Sequence, residues 1–225
     1  MWKAKINAHK VVQDRLSKCN EQLLIEKPIQ CILNGTTLYS GSSTPEQRDH
    51  IFWGYLIASH GPQSLPEEIE KDGDTLSLTV DPVETSREGD AVSLKISDVK
   101  HLMALFQDNV QLYKETGIAE SAAICTKTET THFADDIERL NAMYKVLSFA
   151  NQSKDWGEDI LVISGKLCHR VLGAAVRCGI RTIISRTGIT SAAYDLATEH
   201  DICTIGFCRG KHFTIYTGRD QILDG

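Results

Sequence analysis

The chain has 225 residues, a net charge of −6 and 41% hydrophobic residues, the composition of an ordinary globular protein. That acidic balance excludes a surface given over to nucleic acid, so any grip on phosphate must be local. No apolar run approaches the roughly 20 residues that span a bilayer, and Met1 to Asn20 lacks the apolar centre of a secretory signal, so a cytoplasmic protein without membrane contact is expected.

Met1 to Cys19 is basic and reads as a helix with Val11, Val12 and Leu16 as its apolar positions, either an arm or a packed first helix. Ile29 to Leu33 and Thr37 to Ser40 flank Asn34-Gly35, a strong hairpin signal. Thr44-Pro45-Glu46-Gln47 reads as a helix start, with Thr44 capping, Pro45 in the first turn and Gln47 closing a capping box. Ile51, Phe52, Tyr55, Leu56 and Ser59 share a face of that helix, which Gly61-Pro62 ends. Leu76 to Val80 alternates like a strand, and Glu84 to Ala91 is a polar loop. Ser97 then caps a helix whose face is Leu102, Leu105, Phe106 and Val110. A soft boundary near residue 115 divides a small α+β portion, 1–115, from an α/β core, 116–225.

The core opens with a strand at Ser121 to Cys125, a turn near Lys127 to Glu129 and a return over Thr131 to Phe133. A helix over Ile137 to Ala150 follows, with Ile137, Leu140, Tyr144 and Leu147 facing inward and Asp135 and Asp136 at its amino end. Strands at Ile160 to Ile163, Thr182 to Ile184 and Thr204 to Phe207 alternate with helices over Cys168 to Arg177, ended by Gly179, and Ser191 to His200, capped by Thr190 or Ser191. This is the pattern of right-handed parallel crossovers. Phe213 to Thr217 turns back as an antiparallel strand.

Ligands in such sheets bind beyond the carboxyl ends of the strands. Those ends carry Ser164-Gly165-Lys166, Ser185-Arg186-Thr187 and Cys208-Arg209-Gly210-Lys211, each with a cation beside a small or flexible residue. Lys166, Arg186 and Arg209 are therefore candidates for holding a phosphate-bearing ligand, beside the plainer reading of solvated surface. Asn141 and Lys145 share a helix face, which also suits an ordinary charged surface. The seven cysteines show no C-x-x-C spacing, which suits reduced thiols and predicts no structural metal. His132, His169, His200 and His212 show no metal spacing either, although His169 and His212 could line the strand-end crevice. No zinc-deaminase signature is present.

The order of motifs resembles the formate dehydrogenase accessory protein (FdhD) family. The likeness rests on Thr116 to Ala122, on Ala134 to Val146 with Asp136, Arg139, Asn141, Ala142, Lys145 and Val146 agreeing, on Ser164-Gly165-Lys166, on Ser185 to Ser191, and on Gly206-Phe207-Cys208-Arg209-Gly210 with Tyr216-Thr217. The resemblance implies a three-layer α/β/α sandwich of cytidine-deaminase-like type. It implies a protein that takes persulfide sulfur from a cysteine desulfurase and passes it to the molybdenum cofactor, as molybdopterin guanine dinucleotide, for formate dehydrogenase; a homodimer is expected by the same analogy. The cofactor site it implies takes in Phe207, Cys208, Arg209, Gly210, Lys211, His212, Ser164, Gly165, Lys166, Arg186, Thr187, Thr190, Ser191, Asp136, Arg139 and Asn141.

The family's sulfur-bearing C-G-x-C-G loop aligns with Thr85 to Ala91, where Glu88 and Ala91 hold the cysteine places, and its histidine positions read Glu120 and Leu140. A carboxylate or a methyl group carries no sulfane sulfur. Cys208, beside Arg209, is the leading substitute thiol, followed by Cys168 at a helix start. The alternative is a binding module for molybdopterin guanine dinucleotide, or a guanine nucleotide, that transfers no sulfur.

Overall fold

The protein is described by a computed structural model covering residues 2–66 and 68–224. β1 (Lys3–Val12) and β2 (Arg15–Leu24) pair antiparallel as a two-stranded ribbon. This corrects the helix expected over Met1 to Cys19, of which Met1 lies outside the described residues. Val11 and Leu16, expected as apolar positions of that helix, are instead partners across a turn in which Gln13 and Asp14 both take positive φ (49° and 60°). Two successive left-handed residues make the tight turn that matches strand twist. A helix here would have needed a face to bury, and the segment is exposed almost throughout.

β3 (Lys27–Leu33) and β4 (Thr36–Ser43) form the hairpin expected at Asn34-Gly35. α1 (Arg48–His60) begins three residues later than expected, because the Thr44 hydroxyl donates to Asp136 (2.9 Å) instead of capping, and Gln47 makes no side-chain cap. β5 (Glu70–Asp72) and β6 (Thr75–Leu78) complete a sheet of order β4-β3-β6-β5. After the loop of 84–91 comes β7 (Leu94–Lys95), then α2 (Ile96–Asn109) and α3 (Gln111–Thr116). Ser97 does not cap α2; the Asp98 carboxylate accepts the Lys95 N–H at 2.9 Å.

β8 (Glu120–Cys125), β9 (Thr130–Asp136), α4 (Arg139–Ser153), β10 (Ile160–Ile163), α5 (His169–Cys178), β11 (Thr182–Ser185), α6 (Ser191–Glu199), β12 (Cys203–Arg209), β13 (His212–Thr217) and β14 (Ile222–Leu223) follow. The central sheet has the order β13-β12-β11-β10-β8-β9. β10, β11 and β12 run parallel, and β8, β9 and β13 each run antiparallel to a neighbour. β10 reads ILVI and is buried at every position, as a strand covered on both faces must be.

One face of the sheet packs against α4, α5 and α6, and that hydrophobic cluster continues through α1 to Ile29, Cys31 and Leu33 of β3. The other face packs against α2 through Val99, Leu102, Met103 and Phe106. The result is the α/β/α layering expected. The first cluster crosses the position near residue 115 where the sequence suggests a boundary. A Cβ on Gly54 of α1 would lie 1.9 Å from the Tyr144 carbonyl oxygen, so only glycine allows α1 and α4 to meet this closely. No helix of the described residues is long and apolar enough to cross a membrane.

Candidate functional site

The parallel strands deliver their carboxyl ends to one side of the sheet, and the loops there are cross-tied. Leu167 and Ile189 form a parallel bridge, and the Ser185 hydroxyl donates to the Gly165 carbonyl at 2.8 Å. The Thr187 N–H donates to the same Ser185 oxygen at 3.0 Å. A cavity of about 370 Å³ opens at this edge, lined by Ser164, Arg186, Thr187 and Arg209 from the three strand ends. Its remaining wall comes from Phe106, Val110, Tyr113 and the segment Gly117 to Ser121.

The electrostatics are mainly cationic with one carboxylate. The Nε of Arg186 is buried without a hydrogen-bond partner among the described residues. Arg209 donates its Nε to the Arg186 carbonyl at 2.9 Å, which seats its guanidinium beside that strand end. The Ser164 hydroxyl donates to Glu120, and its oxygen accepts the Ser121 N–H at 2.9 Å. A buried, unpaired guanidinium nitrogen beside a second arginine suits an oxyanion.

Phe207 sits just outside. It is 50% exposed and holds φ at 49°, a conformation that bulky residues rarely adopt. Its N–H donates to the Thr187 carbonyl at 3.0 Å, and its ring comes within 3.2 Å of where a Gly188 side chain would begin. The strained backbone thus presents an aromatic face at the rim.

Other expected site residues lie elsewhere. Lys166, Thr190, Ser191, Gly210, Lys211 and His212 are exposed and do not line the cavity, and His169 is also on the surface. Cys208 is buried at 2% exposure, and burial pushes its thiol up to about 11, the reverse of what a sulfur-bearing thiolate requires. Gly165 packs against the Arg139 side chain, whose Nη2 approaches Cys168 Sγ at 3.9 Å. Cys168 precedes α5 and is half-buried.

Asp136 and Asn141 are fully buried, away from the cavity lining. Asp136 accepts from Thr44 Oγ1 (2.9 Å), Ile137 N (2.8 Å) and Asn141 Nδ2 (3.0 Å), and pairs with Lys145 Nζ at 2.6 Å. Lys145 is therefore no surface charge. It also donates to Thr44 Oγ1 (2.9 Å) and the Asp135 carbonyl (3.1 Å), and lies over the Trp2 ring at 5.1 Å. Asn141 bonds Ser42 O and Tyr39 Oη, both at 2.8 Å. These motif residues latch α4 to the β3–β4 hairpin.

Asp135, next to that latch, has its carboxyl pushed up to about 6 by burial, against a hydrogen bond from Ser121 Oγ. With its pKa raised above the ordinary 3.8, its contribution to stability is present below about pH 4 and is lost as pH climbs through about 6. Asp135→Asn is expected to stabilise the protein by about 1–2 kcal/mol at pH 7.5 and negligibly at pH 4. Urea unfolding at the two pH values measures the difference; an equal effect at both would refute it.

The loop aligned with the sulfur-bearing loop lies at the opposite ends of the strands. Arg87 donates to Asp159, which precedes β10, and to the Cys178 carbonyl (3.2 Å). Asp159 also accepts the Asp90 N–H at 3.0 Å. Gly89 packs against Gly179, with a would-be Cβ only 1.7 Å from its carbonyl oxygen. Glu88 and Ala91 stay exposed. Among the described residues no group of His, Cys, Asp and Glu gathers as a metal site.

Sequence reasoning missed the wall contributed by Phe106, Val110 and Tyr113. The periodicity of α2 marks Phe106 and Val110 as inward-facing but cannot say which strand ends they face.

A family model described as FdhD/NarQ matches residues 70–223. A Bacillus pumilus protein named sulfur carrier protein FdhD is 31% identical over 136 residues, 60% of this chain and 52% of the relative. In that alignment the chain spans about half of the relative's length. A Bacillus subtilis protein of the same name is 28% identical over an alignment covering 94% of each chain. A crystal structure of a protein assigned as a formate dehydrogenase accessory protein from Desulfotalea psychrophila superposes with a TM-score of 0.84. It covers 99% of this chain and 100% of that one; at 17% identity the likeness is one of fold.

Proposed function

We propose, from the premise that this chain belongs to the FdhD/NarQ family, that it serves formate dehydrogenase as an accessory protein and holds the phosphate-bearing end of the molybdenum cofactor in its strand-end cavity. The observation that carries the reading is the convergence of Arg186, Arg209, Ser164 and Thr187 on one cavity, with the Arg186 Nε unpaired. An arginine fork matches two oxygens of a phosphate, and the amino ends of α5 and α6 face the same side of the sheet. Phe207 offers a rim platform for a purine such as guanine.

Curated relatives carry the name of sulfur carrier, which for this chain raises the question of a thiol. Glu88 and Ala91 cannot serve, and Cys31, Cys125, Cys178, Cys203 and Cys208 are all buried with thiols pushed up to about 11 or 12 by burial. Cys168 is the half-exposed thiol beside the strand ends, with the Arg139 guanidinium at its sulfur and a helix amino terminus behind it. The other half-buried thiol, Cys19, lies on the β1–β2 ribbon beside the Glu21 carboxylate (3.7 Å), so the sulfur-carrying reading rests on Cys168. Its thiolate would attack the sulfane sulfur of a cysteine desulfurase persulfide, forming a new S–S bond and releasing the desulfurase thiolate. The second reading, a cofactor-binding module without transfer, is favoured by the loss of both loop cysteines.

Incubation with a cysteine desulfurase and labelled cysteine, followed by mapping of persulfides, separates the two. Label on Cys168 that disappears in Cys168→Ser is the expected result for a carrier. Label on none of the cysteines would overturn the carrier reading and leave the binding module.

A further inference from the structure

The face of α1 that meets the carboxyl-terminal part of α4 is not uniformly apolar. His50, Trp53 and Ile57 recur at steps of three and four, so they share one side of α1. α4 contributes Ser148 and Asn151, polar side chains at 0% and 5% exposure. These residues line a cavity of about 570 Å³, whose wall also takes in the segment 63–66 and, at the end of α4, Lys154. That is room for a small organic molecule. The cavity is distinct from the strand-end site. Arg139 at the amino end of α4 touches Gly165 of the strand-end loops, whereas Lys154 caps the carboxyl end, 15 residues or about 22 Å away.

The polar groups here bond to one another in a way that leaves donors over. Asn151 Nδ2 donates to the Gln63 carbonyl at 2.8 Å. The Gln63 side chain is engaged at both atoms, accepting the Val83 N–H at 3.0 Å and donating to the Gly61 carbonyl at 3.3 Å. His50 Nδ1 lies 2.9 Å from Ser148 Oγ. Burial pushes the His50 imidazole below its ordinary value, against the pull of Asp49, so the ring is neutral at pH 7. A neutral imidazole and a hydroxyl carry two protons. One bridges the pair and the other remains to donate, whichever tautomer is present. Trp53 is 6% exposed and stands edge-on to the His50 ring, 5.2 Å between centroids. Its Nε1 is buried without a hydrogen-bond partner among the described residues. A buried indole N–H of this kind costs free energy until an acceptor reaches it.

Charge narrows the occupant. Among the described residues lining the cavity there is no Asp or Glu, and Lys154 adds a cation, in a chain of net charge −6. Ile57, Leu65 and Pro66 supply apolar wall. Surplus donors, one cation and an apolar wall suit an anionic oxygen pair on an apolar body. We propose that the cavity between α1 and α4 binds a small organic carboxylate, its oxygens on Trp53 Nε1 and the His50–Ser148 pair and its body against Ile57 and Leu65. The proposal does not rest on the cofactor reading, and its failure would leave that reading untouched.

Benzoate is the probe, titrated into the full chain and followed by the indole N–H resonances in proton–nitrogen NMR spectra. Three tryptophans give three such signals, and Trp53→Phe assigns one of them by its loss. Benzoate is expected to move the Trp53 signal saturably, with a dissociation constant below about 1 mM. Benzamide, the neutral isostere, is expected to bind about tenfold more weakly, and benzylamine not at all. Lys154→Ala, a change at an exposed side chain that leaves the reporter in place, is expected to weaken benzoate by about two- to fivefold and benzamide hardly. The proposal is overturned if the Trp53 signal is unmoved at about 10 mM benzoate, or if benzylamine or benzamide binds as well as benzoate. It is equally overturned if Lys154→Ala changes nothing, or if Arg186→Ala abolishes the shift, which would place the probe in the strand-end cavity.

Discussion

Replacing Lys145 by methionine is expected to destabilise the protein by about 3–5 kcal/mol, a fall in Tm of roughly 10 °C or more. Lys145 and Asp136 have no exposed side-chain area, and their atoms stand 2.6 Å apart. Burial pushes the ammonium below its usual value, with Asp136 opposing. Removing the cation strands a carboxylate that Thr44 and Asn141 only partly satisfy, and it removes the donor to the Asp135 carbonyl. Adding Asp136→Asn should recover part of the loss, because the double variant buries no charge; a coupling of about 1–3 kcal/mol is expected. Urea unfolding of the four proteins closes the cycle. A single-variant loss below about 1 kcal/mol would show that the latch is not under the strain of burial described.

The second large effect concerns binding. Arg186→Ala and Arg209→Ala are each expected to weaken guanine nucleotide affinity by about 10–100-fold, the value of a charge-assisted hydrogen bond. Arg186→Lys should fall between, since a point charge lacks the planar fork. Phe207→Ala should lose about 1–3 kcal/mol if its ring stacks on the base. Lys166→Ala is the control: Lys166 is exposed and does not line the cavity. Calorimetric titration with a guanine nucleotide reads all five variants, and unchanged affinity in both arginine-to-alanine variants would remove the cavity from the functional account.

The central sheet and the β3–β4 hairpin were legible because their signals are local. Ile160 to Ile163 is a buried run between turn residues, Gly179 stops a helix in a left-handed conformation, and Asn34-Gly35 folds a hairpin. The same holds for the cavity's cations, which topology alone brings to one edge. What was illegible depends on partners distant along the chain. Lys145 looks like any helix lysine until Asp136 and Thr44 close on it, the latter 101 residues away. Thr44 reads as a cap because nothing nearby reveals that Asp136 will claim its hydroxyl. The first ribbon misled for another reason: Gln13-Asp14 lacks glycine, so its left-handed turn left no mark, and Val12 and Leu16 fit a helical step equally well.

The meeting of Gly89 with Gly179 bears on any attempt to graft the missing cysteines back. A two-cysteine graft at 88 and 91 spares both glycines and would fold, with its sulfur exposed to solvent. It would also sit at the opposite ends of the strands from the arginines, separated from them by at least the length of β11, four residues or about 13 Å. Restoring the chemistry would therefore not restore the reach. A working relay through those positions requires the segment first to unhook Arg87 from Asp159 and swing clear, so in this chain the hinge would have to be engineered before the thiols.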